Sequence, residues 1–159
     1  MKQKGLSILL KIIIVGAAVV VLLVYVWILP VMAVETAETA PAYSLWLRPC
    51  LIFVELTAVP VIAAIVLAWK IAANIGKDKS FCAANAEMLK AISILAIADT
   101  AYFFIGNMAL ISVNVYSPPL FLALLFITFV GTVITVCAAV LSHLVRKAAD
   151  LQEQSDLTI

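Results

Sequence analysis

The sequence predicts an all-α integral membrane protein, an antiparallel up-down-up-down bundle of four helices with both termini in the cytoplasm. Three observations predict it. Of 159 residues, 66% are hydrophobic and 12% charged, whereas a soluble domain is nearer half apolar and a quarter charged. Four apolar runs each reach the roughly 20 residues that a helix needs to cross the hydrocarbon layer. Nearly all the basic residues fall on one side of those runs.

The first run covers residues 8–29 and is interrupted only by Lys11. The second covers 49–69 and contains Glu55. The third, 91–113, contains Asp99 and Asn107, and the fourth, 119–141, has no charge. Each must be helical, because a lone strand in lipid would leave its backbone groups unpaired. The runs are too long for barrel strands, which need only about 10 residues. The expected organisation is one membrane domain over 1–159, with 142–159 as a cytoplasmic helical extension and polar tail.

The connections are polar or proline-marked. Pro30 and Pro41 bracket a segment with Glu35 and Glu38, and the stretch from Asn74 to Lys79 is a polar turn. Ser117-Pro118-Pro119 is expected to turn into the fourth helix, since proline in a first turn removes a donor that has no partner anyway. Lys2, Lys4, Lys11, Lys70, Lys77, Lys79, Lys90, Arg146 and Lys147 lie on one side, and only Arg48 lies on the other. Basic residues mark the cytoplasmic side, and an even number of spans returns the chain to it. Tyr25, Trp27, Tyr43, Trp46 and Tyr116 form an outer aromatic belt, with Trp69 at the inner boundary. Val31-Met32-Ala33 is similar to a signal-cleavage site. The preceding apolar run exceeds the 7–15 residues of a signal core, so an uncleaved first span is expected.

The polar groups inside the spans carry the chemistry. A carboxyl in the bilayer costs a few kcal/mol, faces the interior and often marks function. Glu55, Asn107 and Tyr25 are expected at similar depths of about 6–9 Å from the outer end, sharing a hydrogen-bonded layer. Asp99 is expected about 21 Å down. Opposite it the fourth span offers Thr128, Gly131, Thr132, Thr135, Ala138, Ala139 and Ser142 at helical spacing. Small residues admit close helix approach and hydroxyls bond across it, so Asp99 is expected to face Thr132 and Thr135. Glu55 and Asp99 differ by about 12 Å in depth and cannot act as a dyad. One reading is a proton- or cation-linked path through Asp99 and Glu55, which in so small a bundle needs an oligomer. The other is two protonated carboxyls that hold helices together. Pro60 can kink the second span under either reading.

On the inner side, Ser80 suits an N-cap for a helix running into the third span, with Phe81, Ala84, Met88 and Ile92 on one face. Phe81, Asn85, Met88, His143 and Arg146 are the candidate face for a cytoplasmic partner. The fourth helix is expected to continue past Ser142, ending in a solvated stretch from Gln152. Cys50, Cys82 and Cys137 fall at three depths, match no metal spacing and are expected to be unpaired. A Gly-rich phosphate loop and a catalytic pair are both missing, and His143 is the single histidine. No enzyme, cofactor or metal site is therefore expected, and nothing is basic enough for direct nucleic-acid binding.

The inner loop, Asn74 through Cys82 with Asn85 and Leu89, resembles a bacterial membrane family catalogued as domain of unknown function 2975. So does the ending, from Leu141-Ser142-His143-Leu144-Val145-Arg146-Lys147-Ala148 through Leu151-Gln152-Glu153 to Asp156-Leu157-Thr158-Ile159. The resemblance covers nearly the whole chain. It implies a small four-span protein of a bacterial, often Firmicute, inner membrane, with no known activity to carry over. Many members neighbour a small helix-turn-helix regulator, which implies a two-part system in which the membrane protein senses or sequesters. The expected function is a non-enzymatic sensor or regulatory partner. The alternative is a small oligomeric proton- or cation-linked channel or transporter. The expected partners are the lipid bilayer, a second copy of the chain and a cytoplasmic regulator.

Overall fold

The structure is a computed structural model that describes residues 3–39, 44–112 and 118–156. Lys2, Pro41, Tyr43, Val113, Tyr116, Ser117 and residues 157–159 lie outside the described residues. Every regular element among the described residues is helical. Four helical stretches are long and apolar enough to cross a membrane: Gln3–Glu35, Leu45–Gly76, Ala83–Ser112 and Leu124–Ser155.

The first span is α1 (Gln3–Leu22), a π-helical turn (Leu23–Ile28) and α2 (Leu29–Thr39). Pro30 therefore does not open a loop, and the segment with Glu35 and Glu38 is helical to Thr39. The physical reason is local. A proline inside a helix lacks the N–H that would bond back, and a widened turn accommodates this defect. Just ahead of Pro30, the N–H of Leu29 reaches back to the carbonyl of Val24, the five-residue register of a π turn.

The second span is α3 (Ser44–Leu56) and α4 (Ala58–Gly76), separated at Thr57. Pro60 sits in the first turn of α4, where backbone donors have no intrahelical partner in any case. The break thus falls ahead of the proline. Thr57 closes it with its N–H on the carbonyl of Val54 at 3.1 Å and its hydroxyl on the same oxygen at 2.6 Å. At its other end α4 stops in a Schellman cap. The N–H of Lys79 bonds the carbonyl of Asn74 at 3.0 Å and that of Asp78 bonds Ile75 at 3.2 Å. Asp78 takes the left-handed φ of 59° that this cap requires.

The third span, α5 (Ala83–Ser112), and the fourth, α6 (Pro118–Asp156), are unbroken helices of 30 and 39 residues. Ser80 does not cap α5. The helix starts at Ala83, with the carbonyl of Cys82 accepting the first bonds, from the N–H groups of Asn85 and Ala86. The hydroxyl of Ser80 instead donates to Oε1 of Gln3 at 3.0 Å. The stretch from Gln152, expected as a solvated tail, remains helical to Asp156.

The interior inverts that of a soluble protein. Large apolar side chains along all four spans point outward, whereas Ser7, Thr57, Asn85, Ser93 and Asn107 are buried. In lipid, apolar surface gains nothing by leaving its surroundings, so helices meet through small and hydrogen-bonding residues. The main contacts join α5 to α6, α1 to α4 and α4 to α5. The α5–α6 seam follows a heptad. Ala86, Ser93, Thr100 and Asn107 recur on α5, while α6 presents Leu124, Gly131 and Ala138, with Thr128, Thr135 and Ser142 beside them. Ser142 donates to the carbonyl of Ala86 at 2.8 Å and Ser93 to that of Thr135 at 3.0 Å. Thr100 meets Gly131 between Ser93 and Asn107. On the other side, Ser7 of α1 donates to the carbonyl of Ala72 in α4 at 2.7 Å.

Candidate functional site: an intramembrane cavity with one carboxyl

A cavity of about 330 Å³ lies where α1, α4, α5 and α6 meet. Ile14 of α1, Ile65 of α4, and Gly131 and Ile134 of α6 wall it, and α5 adds Asp99 and Thr100. The remaining lining side chains are apolar. The hydroxyl of Thr100 is already committed, donating to the carbonyl of Ala96 in its own helix at 2.7 Å. Asp99 is different. Its Oδ1 is buried and has no hydrogen-bond partner among the described residues. α5 is the least apolar of the four spans, because it carries both this carboxyl and the polar heptad of the seam.

Two expectations about Asp99 separate here. It lines the same cavity as Gly131 of the small-residue stripe of α6. The threonine hydroxyls of that stripe do not reach it. Thr132 donates to the carbonyl of Thr128 at 2.8 Å and Thr135 to that of Gly131 at 2.9 Å. A helical threonine satisfies itself on its own preceding turn, so the stripe supplies close approach rather than a partner. Thr128 is the exception, its Oγ1 buried with no hydrogen-bond partner among the described residues.

The layer of Tyr25, Glu55 and Asn107 is not assembled. The Tyr25 hydroxyl lies 2.6 Å from Oγ1 of Thr57. The single proton of Thr57 points at Val54, so Tyr25 is the donor. Asn107 is buried and donates to the carbonyl of Phe103 in its own helix at 2.7 Å. Glu55 is exposed on the surface of α3. Rotation about the helix axis is not legible in the sequence, and the break at Thr57 resets it for α3.

The end of the bundle at the α4–α5 connection is knitted together by groups that hydropathy does not mark. Asn85, expected on a partner face, is 1% exposed and the largest fully buried side chain. It accepts from Nδ2 of Asn74 at 2.8 Å and donates to the carbonyls of Lys79 and Ser80 at 2.9 and 3.0 Å. It is a latch for the inner loop and cannot also meet a partner. Phe81 and His143 are exposed, Met88 is half-buried, and Arg146 pairs with Glu87 across α5 and α6 at the surface. Nζ of Lys11 sits over the ring of Trp69, 5.5 Å from its centroid. The signal that would have found the seam is the repeat Ala86, Ser93, Thr100, Asn107. Cys50, Cys82 and Cys137 are free thiols, and no three His, Cys, Asp or Glu side chains gather among the described residues.

The family described as "Protein of unknown function (DUF2975)" matches residues 31–159. The chain belongs to the DUF2975 family. A relative named as the uncharacterized membrane protein YoaS, from Bacillus subtilis (strain 168), is 31% identical over 155 residues, 96% of this chain and 97% of its own. No solved structure matches the chain. Within this DUF2975 protein the family match takes in the helices that supply Asp99, Thr100 and Gly131, together with the Asn85 latch. It begins beyond α1, which closes the cavity with Ile13, Ile14 and Ala17. As a DUF2975 member with four candidate spans, the chain is a membrane protein of a family without an assigned activity.

Proposed function

We propose that this protein is a non-enzymatic sensor of a bacterial inner membrane, working with a cytoplasmic regulator. In this reading the four spans alternate up and down and both termini are cytoplasmic. The distribution of lysine and arginine supports the orientation. The pairing of Ser7 with Ala72 and of Tyr25 with Thr57 supports the alternation, since residues late in the second span lie beside residues early in the first. One observation carries the sensing role. The α5–α6 seam runs continuously from Thr100 and Gly131 beside the cavity to Ser142 and Ala86 near the inner loop, and α6 continues as one helix to Asp156. A rearrangement at Asp99 would thus be transmitted by two packed rigid elements to an exposed face containing Phe81 and His143.

The orientation is tested with Cys82, in a background of Cys50→Ala and Cys137→Ala. A membrane-impermeant thiol reagent should label it only after the cells are opened. The partner is tested by placing a photocrosslinking residue at Phe81 or at His143 in living cells. One soluble protein should be captured, and capture from position 81 should fail when the chain is ended after Ser142. Silence at both positions would end the sensor reading.

A second reading is carboxyl-dependent transport by an oligomer. It is favoured by the unpartnered Oδ1 of Asp99 and by the exposure of Glu55, which a second copy would cover. Liposomes holding the protein should pass protons or cations, and Asp99→Asn should stop them. No flux from the unaltered protein would end this reading.

A further inference from the structure

We propose that the cavity at Asp99 is a binding site for a lipophilic cation, a small molecule with an apolar body and one ammonium group. The volume of about 330 Å³ falls at the low end of the roughly 300–1,000 Å³ of ligand pockets. The walls select the body and the carboxyl selects the head. Of the lining side chains only Asp99 and Thr100 are polar, and Thr100 has spent its proton on Ala96. A buried water needs two to four polar partners, and here it would find acceptors on one side only, at Asp99 and Thr100, with aliphatic wall on the others. An acyl chain would fill the space yet leave Oδ1 of Asp99 without a partner, as it stands now. A basic side chain of the protein would satisfy it, but none lines the cavity. Lys11, a basic residue of the first span, is held over Trp69. A cation with an apolar body answers both walls and carboxyl. Charge at an aliphatic wall is tolerable only when neutralised at short range, and Asp99 provides that. The site is open enough to be reached from the surrounding layer, and all four spans contribute to it.

This goes beyond the sensor reading and does not depend on it, because binding is measured without any partner. The probe is benzyltrimethylammonium, with neopentylbenzene, its uncharged carbon isostere, as the comparison. Equilibrium binding is read on the full chain in maltoside micelles, which carry no ammonium group. The expected result is saturable binding of the ammonium at one per chain. Asp99→Asn should weaken it on the order of tenfold or more, the scale of a partly desolvated charge contact. Ala64→Phe, which fills the cavity with the carboxyl intact, should abolish it. Should Asp99→Asn fail to fold, the Ala64→Phe arm decides alone. The proposal is overturned if the unaltered protein shows no saturable binding, or if either variant binds as tightly. It is equally overturned if neopentylbenzene binds as well as the ammonium does.

Discussion

Thr100 stands directly against Gly131, so that a Cβ at position 131 would lie 2.2 Å from Oγ1 of Thr100 and 3.2 Å from its Cβ. This is a close approach of α5 and α6, and both residues line the cavity. Gly131→Leu is expected to destabilise the protein by about 1–3 kcal/mol, the usual cost of overpacking. Combining it with Thr100→Ala should recover part of that loss, because the nearest atom is gone. Thermal unfolding in detergent, read as a double-mutant cycle, checks both. A second close approach, Phe53 against Gly106, should behave alike, since a Cβ there would meet the ring at 2.0 Å.

Asp99 gives the opposite sign. A group retained for packing loses stability when removed, and one retained for function gains it. With Oδ1 buried and unpartnered, Asp99→Leu is expected to stabilise the chain by about 1–3 kcal/mol, the cost of an unsatisfied buried polar group. A lowered melting temperature would mean that the carboxyl holds the helices together.

Asn85 should be the most sensitive polar position at the α4–α5 connection. Asn85→Ala removes three hydrogen bonds from a side chain that is 1% exposed. A loss of about 2–3 kcal/mol follows. Asn85→Asp keeps the acceptor for Asn74 and loses both donors, so it should be nearly as damaging. Faster tryptic cutting at Lys77 and Lys79, compared with the unaltered chain, reads the released loop.

At Asp78 the backbone rather than the side chain is decisive. Its φ of 59° is tolerated by Asp, Asn and Gly and costs other residues about 1–2 kcal/mol. Asp78→Gly should be neutral or slightly stabilising, and Asp78→Val should destabilise by about that amount. Equilibrium unfolding of the two variants side by side separates conformation from charge.

Tyr25→Phe is expected to cost only about 0.6 kcal/mol, the average for a hydrogen bond between membrane helices. Thr57 keeps its bond to Val54 without it. A much larger loss would show that the π turn and the break at Thr57 are held in register by this one hydroxyl.

The sequence by itself determined the membrane class and the four spans. Those properties are sums along the chain: enough apolar length, and a helix as the one conformation that pairs its own backbone in lipid. Only the tertiary structure decided which side chains meet. Each residue turns a helix by about 100°, so an error of one residue in phase redirects a side chain. The π turn before Pro30 and the break at Thr57 both shift that phase. Tyr25 accordingly finds Thr57 instead of Glu55, and Glu55 is left on the surface. Threonines 132 and 135 bond their own helix, so Asp99 faces a cavity without a partner. Asn85 turns inward because Asn74 of α4 and the carbonyls of Lys79 and Ser80 converge on it, and no one-dimensional pattern records that convergence.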